Sequence, residues 1–257
     1  MATLGPMCTV VVEIPSGPAD RIRVLAVRDE DPARAWDPPG RWWPDTHPDT
    51  VGVRDRRANG AWLAYAHAPG RLAVVLNRGA EVPEPVGGFA SRGGLVLDAI
   101  AGAPLTDPPR TAAFTRVSVT TGSDAAGGSG GGVEVASWDG HALRREALPP
   151  GIHMVDHFEV DDPASSRIAR WLPEFRALAG APDDAWRAEW LALLARTTEI
   201  SREDDRAIIR DNHPHGYPTQ SLLVCIAEVA PGGVALDWAP LTEPGVWGTP
   251  EFRPADA

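Results

Sequence analysis

The chain has 257 residues and a formal net charge of −11. This acidic balance argues against nucleic acid or an anionic membrane as a partner, because both select for basic surfaces. No run of about 18 apolar residues occurs, so we expect no membrane span. Two cysteines and the lack of a signal-like N-terminus indicate a reducing, cytoplasmic compartment, and the exclusive use of Arg over Lys is typical of a high-GC bacterial genome.

The first two predicted strands organise the rest of the chain. Residues 7–14 and 21–30 are short runs dense in Val and Ile, and the Pro, Ser and Gly residues between them favour a turn. The pair therefore predicts a hairpin. Cys8 stands at the start of the first strand, and Arg28-Asp29-Glu30 ends the second. In a hairpin these two ends meet at one edge of a sheet, so we expect a site there.

A Pro-rich segment, residues 31–50, follows the hairpin and carries Trp36, Trp42 and Trp43. Two interpretations stay open. The segment folds as a lid on the domain surface, or its tryptophans form an aromatic wall of a ligand pocket.

Further apolar runs bounded by Gly, Pro and Asn predict strands. They are residues 60–66, 71–77, 113–120, 133–138, 141–148, 219–229 and 234–238. The glycine-rich residues 122–132 lack the Gly-Lys-Ser/Thr ending of a phosphate-binding loop and are interpreted as a flexible hairpin tip.

Helical spacing takes over between residues 164 and 210. Apolar residues recur at helical intervals in 164–179, where Pro173 is expected to split the helix. Asp183-Asp184 predicts the cap of a second helix, and Ser201 to Asp204 resembles a capping box of a third. Earlier in the chain, Ser91 caps a short predicted helix that runs to residue 100. Runs of strands followed by runs of helices predict an α+β fold with antiparallel sheets.

Four residues are candidates for chemistry. Cys8 is a candidate nucleophile whose own α-amine acts as base, because an amine near pKa 8 and a thiol near 8.5 can exchange a proton. This requires that residues 1–7 be absent from the mature chain. Arg28 is expected to lower the thiol pKa and to hold a substrate carboxylate or carbonyl, Asp29 to orient the amine or the guanidinium, and Asn77 to donate to an oxyanion.

Each candidate has a structural alternative. Cys8 can be a small core residue, Arg28 and Asp29 a solvated ion pair, and Asn77 a turn residue before Gly79. Cys225 lies in an apolar run and is expected in the core. The His-containing residues 211–216 lack the further ligands of a metal site, so we expect no metal.

Five segments in order resemble the motifs of the NRDE family, also called the transport and Golgi organisation 2 family. They are residues 7–10, 27–30, 60–63, 73–77 and 92–96. The family is similar in plan to N-terminal-nucleophile (Ntn) hydrolases, so the resemblance implies an αββα sandwich of two antiparallel sheets between helix layers. It also implies one domain over residues 8–257, preceded by an extension of residues 1–7.

The sequence departs from the family at three places. Val27 replaces the first Asn of the Asn-Arg-Asp-Glu motif. Asp156-His157 stands where the family has Ser-Asn, and Pro218 interrupts its Tyr-Gly-Thr-Arg motif, whose Arg is missing here. The resemblance implies hydrolysis of a small amide without a cofactor. The alternative is a non-catalytic carrier of haem or of an apolar or acyl ligand.

Overall fold

The computed structural model describes residues 8–17, 21–121 and 131–255. Residues 1–7 and most of the predicted hairpin tip therefore lie outside the described residues. The strands, in chain order, are β1 (Thr9–Ile14), β2 (Ile22–Glu30), β3 (Trp36–Gly40), β4 (Val51–Asp55), β5 (Ala61–Ala66), β6 (Arg71–Asn77), β7 (Phe114–Thr120), β8 (Gly132–Trp138), β9 (Leu143–Ala147), β10 (Gly151–Val155), β11 (Gln220–Ala230), β12 (Gly233–Pro240) and β13 (Arg253–Pro254). The α-helices are α1 (Arg92–Ala101), α2 (Ser166–Arg176) and α3 (Trp186–Arg196).

The strands form two antiparallel sheets within the described residues. The first sheet has the order β10-β1-β2-β11-β12-β13, and the second runs from β3 to β9 in sequence order. The predicted hairpins are all present: β1 pairs with β2, β5 with β6, β7 with β8 and β11 with β12. The predicted α+β class with antiparallel sheets is confirmed.

Alternation along β1 shows how the layers stack. Val10 and Val12 lie in the core that β5 to β8 share, whereas Val11 lies in a second core with α2 and α3. Because successive side chains of a strand point to opposite faces, the first sheet packs on the second by one face and on these helices by the other. Helix α1 packs on β5 and β6. Helices thus cover both sheets of the sandwich.

The helical region corrects three expectations. Pro173 lies inside α2 without splitting it. Proline removes one backbone hydrogen bond of the helix, but the buried residues Ile168, Trp171 and Phe175 keep the helix packed on the sheet. Asp183 does not cap α3. Its carboxylate instead accepts a hydrogen bond from Arg23.

The predicted third helix is also wrong, since residues 202–206 form turns and a bend. The Asp204 carboxylate there accepts hydrogen bonds from the backbone N–H and the guanidinium of Arg206. Such a side-chain contact competes with helix formation.

Residues 31–50 form neither a simple lid nor the aromatic wall of a ligand pocket. They contain β3, which lies at the edge of the second sheet, where its Pro38 and Pro39 need no partner on the open side. Trp43 is buried in the core and donates its indole N–H to the Asn59 carbonyl at 2.8 Å. The tryptophans therefore fasten the edge of the sheet.

The start of α1 presses closely on the start of β5. A Cβ atom on Gly93 would lie 2.8 Å from the Cα of Gly60, and one on Gly60 would lie 2.7 Å from the Cα of Gly93. Only glycine at both positions permits this approach. Ser91 caps the helix as predicted, accepting a hydrogen bond from the Gly93 N–H.

We expect Gly93→Ala to lower the free energy of unfolding by about 1–3 kcal/mol, because the added methyl group forces the backbones of α1 and β5 apart. Gly94→Ala is the matched control. Its Cβ would meet no atom within 4 Å, so better helix propensity should raise stability by about 0.5–1 kcal/mol. Urea unfolding of both variants measures the difference, and equal stabilities would contradict the close contact.

Candidate active site at the start of the first strand

Cys8 lies where the sequence places it, beside the end of β2. Its thiol is buried, with 3% of the residue exposed. The Asp29 N–H donates to the Cys8 Sγ at 3.4 Å, and the thiol in turn donates to the Asp29 carbonyl at 3.6 Å. The main chain of Asp29 thus holds the sulfur.

A cavity of about 490 Å³ adjoins this sulfur. All four candidate residues line it, namely Cys8, Arg28, Asp29 and Asn77. Asn77 ends β6 of the second sheet, so the cavity lies where the ends of the two sheets meet. The structure therefore brings together the residues that the sequence singled out, while their catalytic roles stay predictions.

The Asp29 carboxylate, however, points away from Cys8. Val27 belongs to the core on the helix side, and Ala26 to the core between the sheets. Strand alternation then puts Arg28 on the cavity side and Asp29 on the helix side. Ser221 on the neighbouring strand β11 donates its hydroxyl to Asp29 Oδ1 at 2.6 Å.

The thiol is protonated at neutral pH in this chain. Burial, together with the negative charge of Asp29, raises the pKa of Cys8 to about 12. The positive charge of Arg28 lowers that pKa but does not compensate for the lost hydration. Arg28 thus acts on the thiol pKa in the expected direction, but too weakly to ionise Cys8 at neutral pH.

Arg28 itself is 2% exposed. Its Nη2 lies 3.4 Å from the Glu30 carboxylate, and its guanidinium lies over Trp36 at 5.8 Å. Its Nη1 is buried without a hydrogen-bond partner among the residues that the structure describes. Burial lowers the pKa of this arginine.

Two arginines near Asp29 were not predicted from the sequence as part of the site. Arg167 and Arg210 are fully buried on the helix side, and the charges of both lower the pKa of Asp29. The guanidinium of Arg167 donates to the Thr9 hydroxyl at 2.5 Å, and the backbone N–H of Arg210 donates to the Ser221 hydroxyl. Burial nevertheless dominates and raises the pKa of Asp29 to about 6.

A sequence signal for Arg167 did exist. It precedes Trp171 by one helical turn, on the apolar face of α2, where a charged residue needs a buried partner. Arg210 directly follows two apolar residues, Ile208 and Ile209, and so is also a charged residue in an apolar stretch. Nothing in its position in the sequence identifies Asp29 as its neighbour.

The residues at the family's later motifs lie away from the cavity. His157 does not line it, and burial lowers the pKa of this histidine to about 4. Neither of its ring nitrogens has a hydrogen-bond partner in the described part of the chain. Thr219 accepts a hydrogen bond from the Asn212 side chain at 3.0 Å. No group of metal-ligating side chains occurs within residues 8–17, 21–121 and 131–255.

The model of the transport and Golgi organisation 2 family matches residues 7–124. Over these residues, which make up a little under half of the chain, the protein is similar to that family. The match covers Cys8, β2 and β6, and so includes all four candidate residues. The departures at residues 156–157 and 216–219 lie beyond it, and the assignment of residues 8–257 to one domain stays a prediction.

A search of curated proteins found no match to the chain. No helix of the described residues is long and apolar enough to cross a membrane.

Proposed function

We propose that the protein is a cysteine amidohydrolase of the N-terminal-nucleophile type that acts on a small amide. The observation that carries the proposal is the position of Cys8. It immediately precedes β1, its sulfur is held by the main chain of Asp29, and it lines a cavity shared with Arg28 and Asn77. The two-sheet sandwich with helices on both sides matches the plan of Ntn hydrolases.

The base in this reaction is the α-amine of Cys8. The described cavity lining holds no histidine. Of its three carboxylates, Glu30 and Asp55 are ion-paired to Arg34, and that of Asp29 points away from Cys8. A free amine at residue 8 titrates near pH 8 and lies on the same residue as the thiol. The buried negative charge of Asp29, which already raises the thiol pKa, favours the ammonium form after proton transfer.

The reaction then has two steps. The Cys8 Sγ bonds to the amide carbonyl carbon while its proton passes to the α-amine, and the Asn77 amide donates to the resulting oxyanion. The C–N bond breaks as the ammonium returns its proton to the leaving amine. Water hydrolyses the thioester, releasing the acid and restoring the thiol.

The test compares a chain that begins at Cys8 with one that retains residues 1–7, each verified by intact mass. We expect only the first to hydrolyse a panel of N-acyl 4-nitroanilides and to be alkylated by iodoacetamide at Cys8, because only it carries the amine that accepts the thiol proton. Cys225 is an internal control, since it is 1% exposed and burial raises its pKa as well. Equal hydrolysis by both chains would contradict the proposal.

A carrier of haem or of an acyl ligand is the second candidate. The protonated thiol of Cys8 in the chain that retains residues 1–7 favours it, as does Phe89, which lines the cavity and is 39% exposed. Spectroscopic titration with haem and calorimetric titration with a fatty acid test this function. A carrier would bind one of these equally well with or without residues 1–7.

A further inference from the structure

The cavity beside Cys8 carries an excess of positive charge. Its lining includes three guanidinium groups and two carboxylates on the cavity side, those of Glu30 and Asp55. Arg34 donates to Asp55 at 2.6 Å. Glu30 lies between Arg34 and Arg28, at 3.8 Å and 3.4 Å. One positive charge is left without a counterion, since the Asp29 carboxylate faces the helices.

Arg92 carries that remaining charge. It is the first residue of α1, and its Nη1 donates to the Ala113 carbonyl at 3.0 Å. Within the described residues it has no carboxylate at ion-pair distance. Burial lowers its pKa, and the negative charge of Glu30 opposes this shift. A partly buried guanidinium bonded to one carbonyl keeps donors for a ligand.

Arg28 offers a second donor at the same cavity. Its buried Nη1 lacks a partner among the described residues. Buried polar groups in folded proteins are almost always hydrogen-bonded, so an orphan donor in a cavity wall marks a position for a ligand acceptor.

The N-terminal turn of α1 adds to the positive potential of the cavity. Ser91, Arg92 and Gly93 all line the cavity. A helix N-terminus attracts anions through its partial positive charge. The contact between Gly93 and Gly60 fixes this turn at the cavity wall.

From these observations we infer that Arg92, Arg28 and the start of α1 bind a carboxylate, and that the substrate is a small amide carrying such a group. The inference rests on the proposed amide hydrolysis and names its substrate class. A planar guanidinium matches a carboxylate in geometry. A single excess charge suits a monoanion, whereas a phosphate dianion would be repelled by Glu30 and Asp55. Trp62, Val75 and Phe89 in the lining accommodate a short carbon chain.

The experiment uses a matched ligand pair, glutaric acid monoamide and its neutral diamide. Both are titrated calorimetrically into the Cys8→Ala variant of the chain that begins at residue 8, so that no hydrolysis occurs. We expect the monoamide to bind at least about tenfold more tightly than the diamide, and this preference to shrink as salt rises. Equal affinities, or a preference that salt does not change, would overturn the inference.

Variants locate the site. Arg92→Gln should weaken monoamide binding at least about tenfold and leave diamide binding unchanged, and Arg92→Lys should fall between it and the parent. Arg41→Gln is the control, because Arg41 also donates to a single carbonyl, that of Pro48, but lies outside the cavity lining. Unchanged monoamide binding by a folded Arg92→Gln variant would refute the assignment.

Inorganic phosphate is titrated in parallel, and tighter binding of phosphate than of the monoamide would overturn the choice of a carboxylate. Hydrolysis is measured separately on the chain with Cys8 intact. Monoamide binding without hydrolysis would refute the proposed reaction and leave the carboxylate site standing. Hydrolysis of neutral amides without a preference for a carboxylate would refute the carboxylate site and leave the proposed reaction standing.

Discussion

Cys8→Ala, in the chain that begins at residue 8, is expected to lower amide hydrolysis by at least about 10³-fold, because it removes the nucleophile on which the covalent step depends. Ligand binding should change by less than about twofold, since the cavity keeps its shape and its charges. Steady-state kinetics measures the first effect and calorimetry the second.

Two further variants define the cause. Cys8→Ser keeps a nucleophile of the same geometry with a far weaker acidity, so its activity should lie between those of Cys8→Ala and the parent. Cys225→Ala alters a buried cysteine paired with Ala26 in the first sheet, and its activity should stay at the parent level. Full hydrolysis by Cys8→Ala would exclude thiol catalysis and leave the carrier function.

Local pattern predicted most of the strands and the site's position, but it missed β3, β4, β10 and β13. The hairpins of β1–β2 and β5–β6 follow from alternating apolar runs and turn residues, and a hairpin forces Cys8 to face the end of β2. The Ser91 cap is read from adjacent residues in the same way. The prediction for residues 31–50 was wrong because their prolines indicate a loop. Prolines are tolerated in β3 because this strand lies at the edge of its sheet.

Electrostatics could not be predicted from sequence proximity. The nearness of Arg28 to Cys8 was inferred correctly, but the thiol pKa depends on burial, which arises from packing across the whole sandwich. Arg167 and Arg210 lie far along the chain from Asp29, and no local pattern joins them. The direction of the Asp29 side chain could have been deduced, because it shares the face of Val27 under simple strand alternation.

The pH dependence of stability tests the charge buried at Asp29. The pKa of this residue is raised from its ordinary value near 4 to about 6. Between these values the folded protein holds a proton that the unfolded chain has released, so the contribution of Asp29 to the free energy of unfolding falls as pH rises. Above pH 6 the protein bears the full cost of an ionised buried carboxylate.

Asp29→Asn removes this titration and retains an oxygen that accepts the Ser221 hydroxyl. We therefore expect the free energy of unfolding of the variant, relative to the parent, to rise by about 3 kcal/mol between pH 4 and pH 7. Urea unfolding of both proteins across this range measures the difference. Subtracting the parent cancels other titrating groups, including His157.

Asp37→Asn is the matched control with the opposite sign. Asp37 is also a buried carboxylate between two arginines, Arg54 and Arg56, but their guanidinium groups donate directly to it at 2.7 Å. Those bonds lower its pKa, so its substitution should cost more stability at pH 7 than at pH 4. A relative stability of Asp29→Asn that falls with rising pH, as for Asp37→Asn, would mean that Arg167 and Arg210 outweigh burial. The buried carboxylate would then stabilise the fold. A relative stability of Asp29→Asn that rises with pH instead shows that the ionised Asp29 carboxylate beneath Cys8 lowers the stability of the protein.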